Sequence, residues 1–198
     1  TTNAEQGFTA FANNVDDILR RGAPSRTTEI RLADASLSLE QTTELTIMVD
    51  NGTTANTTVQ IHSLVYDSGS GTRISYSSGA VIRQDEGRSV MVRQPNVVLK
   101  NETVILPVIH TVAADNGTVC GTTGAEVETQ SAGSEVVAND SVENVTIKTT
   151  SPHPDAWYRY LETETAANCN APVNETVRCD VEPDQVYIAV ERVDVRLQ

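Results

Sequence analysis

Seven asparagines lie in the pattern Asn-x-Ser/Thr, in which a glycan can be attached to the side-chain amide nitrogen. With 13 asparagines and 39 serines and threonines among 198 residues, chance placement gives roughly 3 such sequons. The excess favours a protein with a glycosylated surface, exposed beyond a membrane. The alternative is that a chain rich in threonine and asparagine forms such triplets by accident. The acceptors are Asn51, Asn56, Asn101, Asn116, Asn139, Asn144 and Asn174.

The turn and strand patterns place most of these acceptors on an outer surface. Asn56 is expected at the entry of a strand, and Asn144 within a strand. Asn144 is therefore the acceptor most expected to be unmodified, unless its strand turns a polar face to solvent. The other five fall in turns or loops: Asn51 and Asn116 at Asn-Gly turns, Asn101 and Asn139 in loops, and Asn174 between two cysteines.

Three cysteines, Cys120, Cys169 and Cys179, permit at most one intramolecular disulfide. No Cys-x-x-Cys pair is present, which argues against a zinc site. We prefer the pair Cys169 and Cys179, because closing that loop would stabilise the fold by roughly 2–3 kcal/mol. The alternative is three free or buried thiols.

The remaining reactive side chains form no recognised catalytic or metal-binding pattern. His62, His110 and His153 are far apart, and none lies in a His-x-His or His-Glu-x-x-His pattern. A Gly-x-Ser-x-Gly elbow is also missing from the sequence. Trp157 and Tyr158, with Tyr160, could form a carbohydrate-stacking platform, although packing against a sheet is the favoured interpretation. We therefore expect no enzyme activity, no metal and no cofactor.

The charge of the chain is strongly negative, with a formal net charge of −13 at pH 7. Only Lys100 and Lys148 are lysines, and the other 12 basic residues are arginines. An acidic, lysine-poor surface suits concentrated salt, which screens self-repulsion. The alternative is an ordinary acidic mesophilic protein. No basic stripe with interleaved aromatics is present, which argues against nucleic-acid binding.

Residues 3–21 are predicted to form an amphipathic helix. Its apolar residues follow a spacing of three and four, and Gly22 and Pro24 end it. This stripe would either pack in a protein core or belong to the soluble end of a longer helix from a membrane or filament core. The stripe, our candidate assembly face, consists of Phe8, Phe11, Val15, Ile18 and Leu19.

From residue 27 onward, short alternating segments separated by turns predict a mainly β fold. We expect an antiparallel β-sandwich-like domain over residues 27–198, with the N-terminal helix as a separate unit over residues 1–22. A short helix is predicted near residues 154–163, and Pro107 is placed at an edge or bulge. Residues 113–141 look like a surface excursion with one strand near 125–129. The last strand, residues 186–197, is expected to carry a bulge at Glu191-Arg192.

Three stretches resemble a family of uncharacterised haloarchaeal surface proteins with type IV pilin-like architecture. They are AEQGFTAFANNVDDILRRGAPSRTTEIRLADASL, then SLVYDSGSGTRISYSSGAVIRQDEGRSVMVRQPNVVLKNETVILPVI, then VTIKTTSPHPDAWYRYLETE. The resemblance implies an apolar anchoring helix followed by an amphipathic helix, β-hairpins, a short aromatic helix and a closing strand. The apolar helix of that family is not found in this sequence, and three cysteines are unusual for it.

Sequons, acidity and resemblance together predict an extracellular glycoprotein at the surface of a halophile. We expect a structural subunit or accessory protein of a pilus-like filament, whose partners are copies of itself or other surface proteins and N-linked glycans. Because the chain begins at Thr1 without Met, we expect a trimmed chain with a signal or anchor before it. The alternatives are an adhesin or ligand-binding module that does not polymerise, and a secreted hydrolase with dispersed active-site residues.

Overall fold

The computed structural model describes residues 2–115 and 117–198, which form two helices, fourteen strands and one 3₁₀ turn. The helices are α1 (Thr2–Arg21) and α2 (Pro154–Glu164), and the 3₁₀ turn is Asp50–Gly52. The strands are β1 (Ser25–Arg31), β2 (Ala35–Val49), β3 (Ala55–Asp67), β4 (Thr72–Ser77), β5 (Ala80–Asp85), β6 (Arg88–Arg93), β7 (Val98–Leu99), β8 (Thr103–Ala113), β9 (Thr118–Gly121), β10 (Gly124–Ser141), β11 (Val145–Thr150), β12 (Asn168–Val173), β13 (Thr176–Val181) and β14 (Gln185–Leu197).

The strands form two sheets that pack against each other. Sheet A has the order β1-β10-β14-β8-β7, and sheet B has the order β12-β13-β11-β2-β3-β4-β5-β6, with β9 also paired to β2. Short connections join the sheets at both ends. Residues 32–34 lead from β1 of sheet A to β2 of sheet B, and residues 142–144 lead from β10 of sheet A to β11 of sheet B.

The buried side chains form two cores, one towards each end of the sheets. In β3, Val59 and Ile61 point into the first core, together with α2. Leu64 and Tyr66 of the same strand point into the second core, together with α1. Because side chains alternate between the two faces of a strand, β3 uses opposite faces in its two halves. This double burial explains why the strand is apolar at consecutive positions from residue 64 to residue 66.

Helix α1 belongs to the second core and is not a separate unit. Phe8, Phe11 and Val15 are fully buried, Ile18 is almost so, and Leu19 packs beside them against the same chain. Gly7 permits a close approach, since a Cβ there would lie 3.3 Å from Ile30 of β1. The stripe proposed as an assembly face is thus covered by strands of its own chain. The periodicity of the stripe marks the buried face of α1, and this face packs in a protein core.

The prediction of a mainly β, sandwich-like fold with two helices is confirmed. One pair departs from antiparallel pairing, because β14 runs parallel to β8 from Gln185 to Val195. Pro107 lies on β8 beyond the end of β7, on the part of β8 paired only with β14. That position at the sheet edge agrees with its prediction, since proline cannot donate to a second ladder.

The description of residues 113–141 as a surface excursion is wrong. β10 is an 18-residue strand in the middle of sheet A, paired with both β1 and β14. The bulge predicted at Glu191-Arg192 lies at that point of the β10–β14 pair, beside Arg192, but on the partner strand. The register shifts fall between Ser131 and Gly133 and between Val136 and Ala138, so the extra residues belong to β10. Most of β10 is polar and exposed, and therefore its sequence lacks the apolar alternation that reveals a strand.

Candidate functional site

Three sequons meet at the corner of sheet B where β2 ends and where β3 and β11 begin. Asn51 lies in the turn between β2 and β3, with the left-handed φ of 56° that asparagine tolerates. Asn56 pairs with Met48 at the start of β3. Asn144 immediately precedes β11, whose first residue, Val145, pairs with Val49. Asn51 and Asn144, which are 93 positions apart in sequence, thereby meet at one corner of the domain.

Two further sequons lie at the same end of sheet A. Asn139 is near the end of β10, and Asn101 lies in the turn between β7 and β8. Ser141 pairs with Gln185 of β14, and Gln185 pairs with Thr103 of β8. The hydroxyl residues of these two sequons are therefore separated by a single strand. Asn139 was expected in a loop, and the structure places it in a strand.

These two groups form one surface because residues 142–144 directly join β10 to β11. We call this end of the domain, with Asn51, Asn56, Asn101, Asn139 and Asn144, the sequon pole. All of these asparagines except Asn144 are exposed, and Asn144 is half-buried. Exposed acceptors at one end give a surface that several glycans could cover.

Asp50 ties the turn between β2 and β3 to residues 142–144, the segment that connects the two sheets. One carboxylate oxygen accepts hydrogen bonds from the backbone N–H groups of Glu143 at 2.7 Å and Asn144 at 3.4 Å. The other accepts one from the hydroxyl of Thr54. The Thr54 hydroxyl, followed by the Glu143 N–H, lowers the pKa of Asp50 below its ordinary value. The carboxylate thus remains ionised at neutral pH and fixes the turn that carries Asn51.

The opposite end of the domain holds the start of α1 and the last residues of β14. α1 runs antiparallel to β1, since Gly7 faces Ile30, and Asn14 donates a 2.8 Å hydrogen bond to Thr28. Gln198 exchanges backbone hydrogen bonds with Glu126 near the beginning of β10. We call this end the helix pole.

The two poles are far apart along β10. Ala125, which pairs with Ile30 beside α1, and Asn139 are separated by fourteen residues of strand. Two of these fourteen are bulge residues that add no strand length, so at about 3.3 Å per residue the distance is roughly 40 Å.

A sixth sequon, that of Asn174, lies away from the sequon pole. Asn174 is in the two-residue turn between β12 and β13, where Asn174 and Glu175 both have positive φ. Asn116 lies outside the described residues.

A family model matches residues 1–196 of the chain, and its description is a family of unknown function, DUF7289. The chain belongs to the DUF7289 family. The match spans both helices and all fourteen strands except for the last residue of β14. No curated protein and no solved structure matches the chain.

In this DUF7289 chain, Cys169 and Cys179 face each other across β12 and β13 and form a disulfide. Both cysteines are buried in the first core. Cys120 is exposed on β9 and has no disulfide partner among the described residues. The disulfide closes the hairpin that presents Asn174.

The histidines are placed differently from one another. Although they are 48 positions apart in sequence, His62 and His110 come together on β3 and β8, close enough for their charges to interact. Burial, followed by the positive charge of Arg192, lowers the pKa of His110. His153 is buried before α2, and burial lowers its pKa from 6.5 to about 4. In the described part of the chain, no group of three His, Cys, Asp or Glu side chains could hold a metal ion.

Two of the three aromatic residues in the candidate platform on α2 are buried, and the third, Tyr158, is half-buried. Trp157 and Tyr160 are 6% and 7% exposed and pack in the first core. They line a cavity of about 30 Å³, together with Leu106 and Ile147. That volume is about the share of one water molecule in the liquid. The core-packing interpretation of α2 therefore describes its position.

One surface feature could not be recognised from the sequence. Tyr187 and Ile105, each 42% exposed, lie side by side on the outer face of sheet A beside Asn139. The alternation of β14 indicates a strand, but it does not say which partner strand brings a sequon next to Tyr187. Among the described residues, neither helix is long and apolar enough to cross a membrane.

Proposed function

We propose that this protein is an extracellular, glycosylated structural protein: a pilin-like subunit or an accessory protein of a haloarchaeal surface filament. The observation that carries the proposal is the separation of the sequon pole from the helix pole. A protein held on its helix-pole side would direct five acceptor asparagines outward. Its role would be packing and surface hydration, not catalysis.

The surface charge supports work in concentrated salt. With a net charge of −13, the folded domain repels itself in dilute buffer, and salt screens that repulsion. Many arginines lie within 4.0 Å of an acidic side chain, among them Arg73 with Glu40 and Arg196 with Asp115. Arginine suits such contacts because its planar fork matches a carboxylate.

A second candidate is a cell-surface adhesin or ligand-binding module that does not polymerise. The burial of the α1 stripe favours it, because Phe8 and Phe11 are 0% exposed and unavailable to a neighbouring subunit. A filament of this protein would need other contact surfaces, such as the polar face of α1 or a segment outside this sequence.

Two measurements on native material test the proposal. Mass spectrometry of the intact protein and its glycopeptides is expected to show glycans on acceptors of the sequon pole. Electron microscopy at high salt then separates the two candidates, since filaments support the pilin-like role and dispersed particles support the module. A native protein with no glycan at any acceptor would contradict the proposed outward placement.

A further inference from the structure

We propose that a glycan attached to Asn139 lies across an apolar strip on the outer face of sheet A. The strip consists of Ile105, Val136 and Tyr187, which are 42%, 54% and 42% exposed. The inference rests on the proposed function, because it requires the protein to be glycosylated. It goes beyond the proposed function by naming the acceptor whose glycan covers this surface and the side chains that the glycan contacts.

The strand register places Asn139 directly beside the strip. Asn139 of β10 pairs with Tyr187 of β14, and Tyr187 pairs with Ile105 of β8. Paired residues of neighbouring strands point to the same face, and their Cβ atoms are about 5 Å apart. The row of Asn139, Tyr187 and Ile105 therefore extends about 10 Å from the acceptor, across two strand spacings.

The neighbouring row shows that this face points outward. Ala138 pairs with Ile188, and Ile188 pairs with Leu106. All three are less than 9% exposed and belong to the first core. Because side chains alternate along a strand, the row of Asn139, Tyr187 and Ile105 faces the opposite side. The far half of that side is covered by α1, whereas the half near the sequon pole is open.

The chemistry of the strip suits a sugar. The face of a tyrosine ring carries partial negative charge, and the C–H groups on one side of a pyranose carry partial positive charge. Stacking also removes apolar area of Tyr187 and Ile105 from water. The acceptor is well placed for modification, since Asn139 and Ser141 of its sequon are both exposed.

Chemical modification of tyrosine tests the contact on the native glycoprotein. The nitration rate of Tyr187 is compared in the wild type, in Asn139→Gln and in Ser141→Ala, which removes the sequon hydroxyl but keeps the asparagine. We expect Tyr187 to react several-fold faster in both variants. Asn101→Gln is the matched control, because it removes the other sheet A acceptor and leaves the rate unchanged. The half-buried Tyr158 provides an internal reference in every sample.

Each other outcome contradicts a distinct statement. If Asn139 is unmodified while other acceptors carry glycans, this inference fails and the proposed function stands. If no acceptor carries a glycan, the proposed function fails as well. If Asn139 is modified but Tyr187 reacts equally in all variants, the glycan does not cover the strip. If the nitration rate of Tyr187 is slow in the wild type and in every variant, another protein covers the strip and the inference fails.

Discussion

The backbone N–H of Asn51 donates a 3.1 Å hydrogen bond to the side-chain Oδ1 of Asn144, so two acceptor asparagines contact each other at the sequon pole. The two differ in exposure, because Asn51 is exposed and Asn144 is half-buried. Their sequon hydroxyls differ too. Thr53 is exposed, whereas Thr146 is 3% exposed and donates a hydrogen bond to Asp180.

This difference predicts unequal modification of the two acceptors. We expect Asn51 to carry a glycan and Asn144 to remain unmodified, as measured by mass spectrometry of glycopeptides. Asn144→Ala should also destabilise the domain by about 1 kcal/mol, because the N–H of Asn51 loses its partner. Asn56→Ala, at an exposed acceptor, is the control and should change the stability by less than about 0.5 kcal/mol. Full occupancy at Asn144 would show that the corner opens before or during modification.

Removing the disulfide should destabilise the protein measurably. Cys169 and Cys179 are separated by 10 residues, and replacing both by serine should cost roughly 2–3 kcal/mol in the free energy of unfolding. Denaturant titration of the variant and the wild type gives this difference. Cys120→Ser, at an exposed thiol, is the control and should have little effect. Equal losses of unfolding free energy for the double serine variant and for Cys120→Ser would contradict the pairing of Cys169 with Cys179.

Truncating Phe11 tests whether the α1 stripe is a core. Its ring is fully buried and packs edge-on against Tyr76, with centroids 4.9 Å apart. Phe11→Ala should reduce the free energy of unfolding of the monomer by about 3–5 kcal/mol. Thr9→Ala, on the exposed face of the same helix, should have a small effect. A stable Phe11→Ala monomer that has lost only self-association would contradict this prediction and support an assembly face.

His153 should make the domain less stable in mild acid. Burial lowers its pKa from 6.5 to about 4, whereas an unfolded chain binds the proton near 6.5. The unfolded state therefore gains protons first, and stability is greatest above about pH 6.5 and falls towards pH 4. His153→Gln should flatten this part of the stability curve, measured by denaturant titration at several pH values. An unchanged slope in the variant would mean that other groups cause it.

Salt should stabilise the folded protein. Raising the ionic strength from about 0.1 M to about 1 M shortens the Debye length from about 10 Å to about 3 Å. With a net charge of −13, screening removes more repulsion than attraction, so the melting temperature should rise. Thermal unfolding in increasing KCl measures this change, and sucrose is a control for effects unrelated to charge. A melting temperature that falls with KCl would contradict the proposed halophilic setting.

The sequence alone was sufficient for elements whose pattern is regular. The spacing of Phe8, Phe11 and Val15 predicted α1, and that of Trp157, Tyr160 and Leu161 predicted α2. These patterns are informative because each helix buries only one face. The same periodicity could not say what would cover α1, since a core and a neighbouring subunit call for the same apolar stripe.

The sequence did not predict the secondary structure where most side chains of a strand are exposed, because such a strand lacks apolar alternation. β10 is exposed over most of its length, and tertiary pairing with β1 and β14 makes it a strand despite its composition. The error also misplaced Asn139, which was assigned to a loop. A strand of polar residues is stabilised by backbone ladders and neighbouring strands, and its own side chains reveal little.

The sequence determined that seven acceptors exist, that the chain is acidic and that its fold is mainly β. Only the tertiary structure decided that five of these acceptors, Asn51, Asn56, Asn101, Asn139 and Asn144, gather at one pole, far from the start of α1. The physical reason is that register between strands distant in sequence sets which residues become neighbours. Sequence spacing carries no information on that register until the strands are paired.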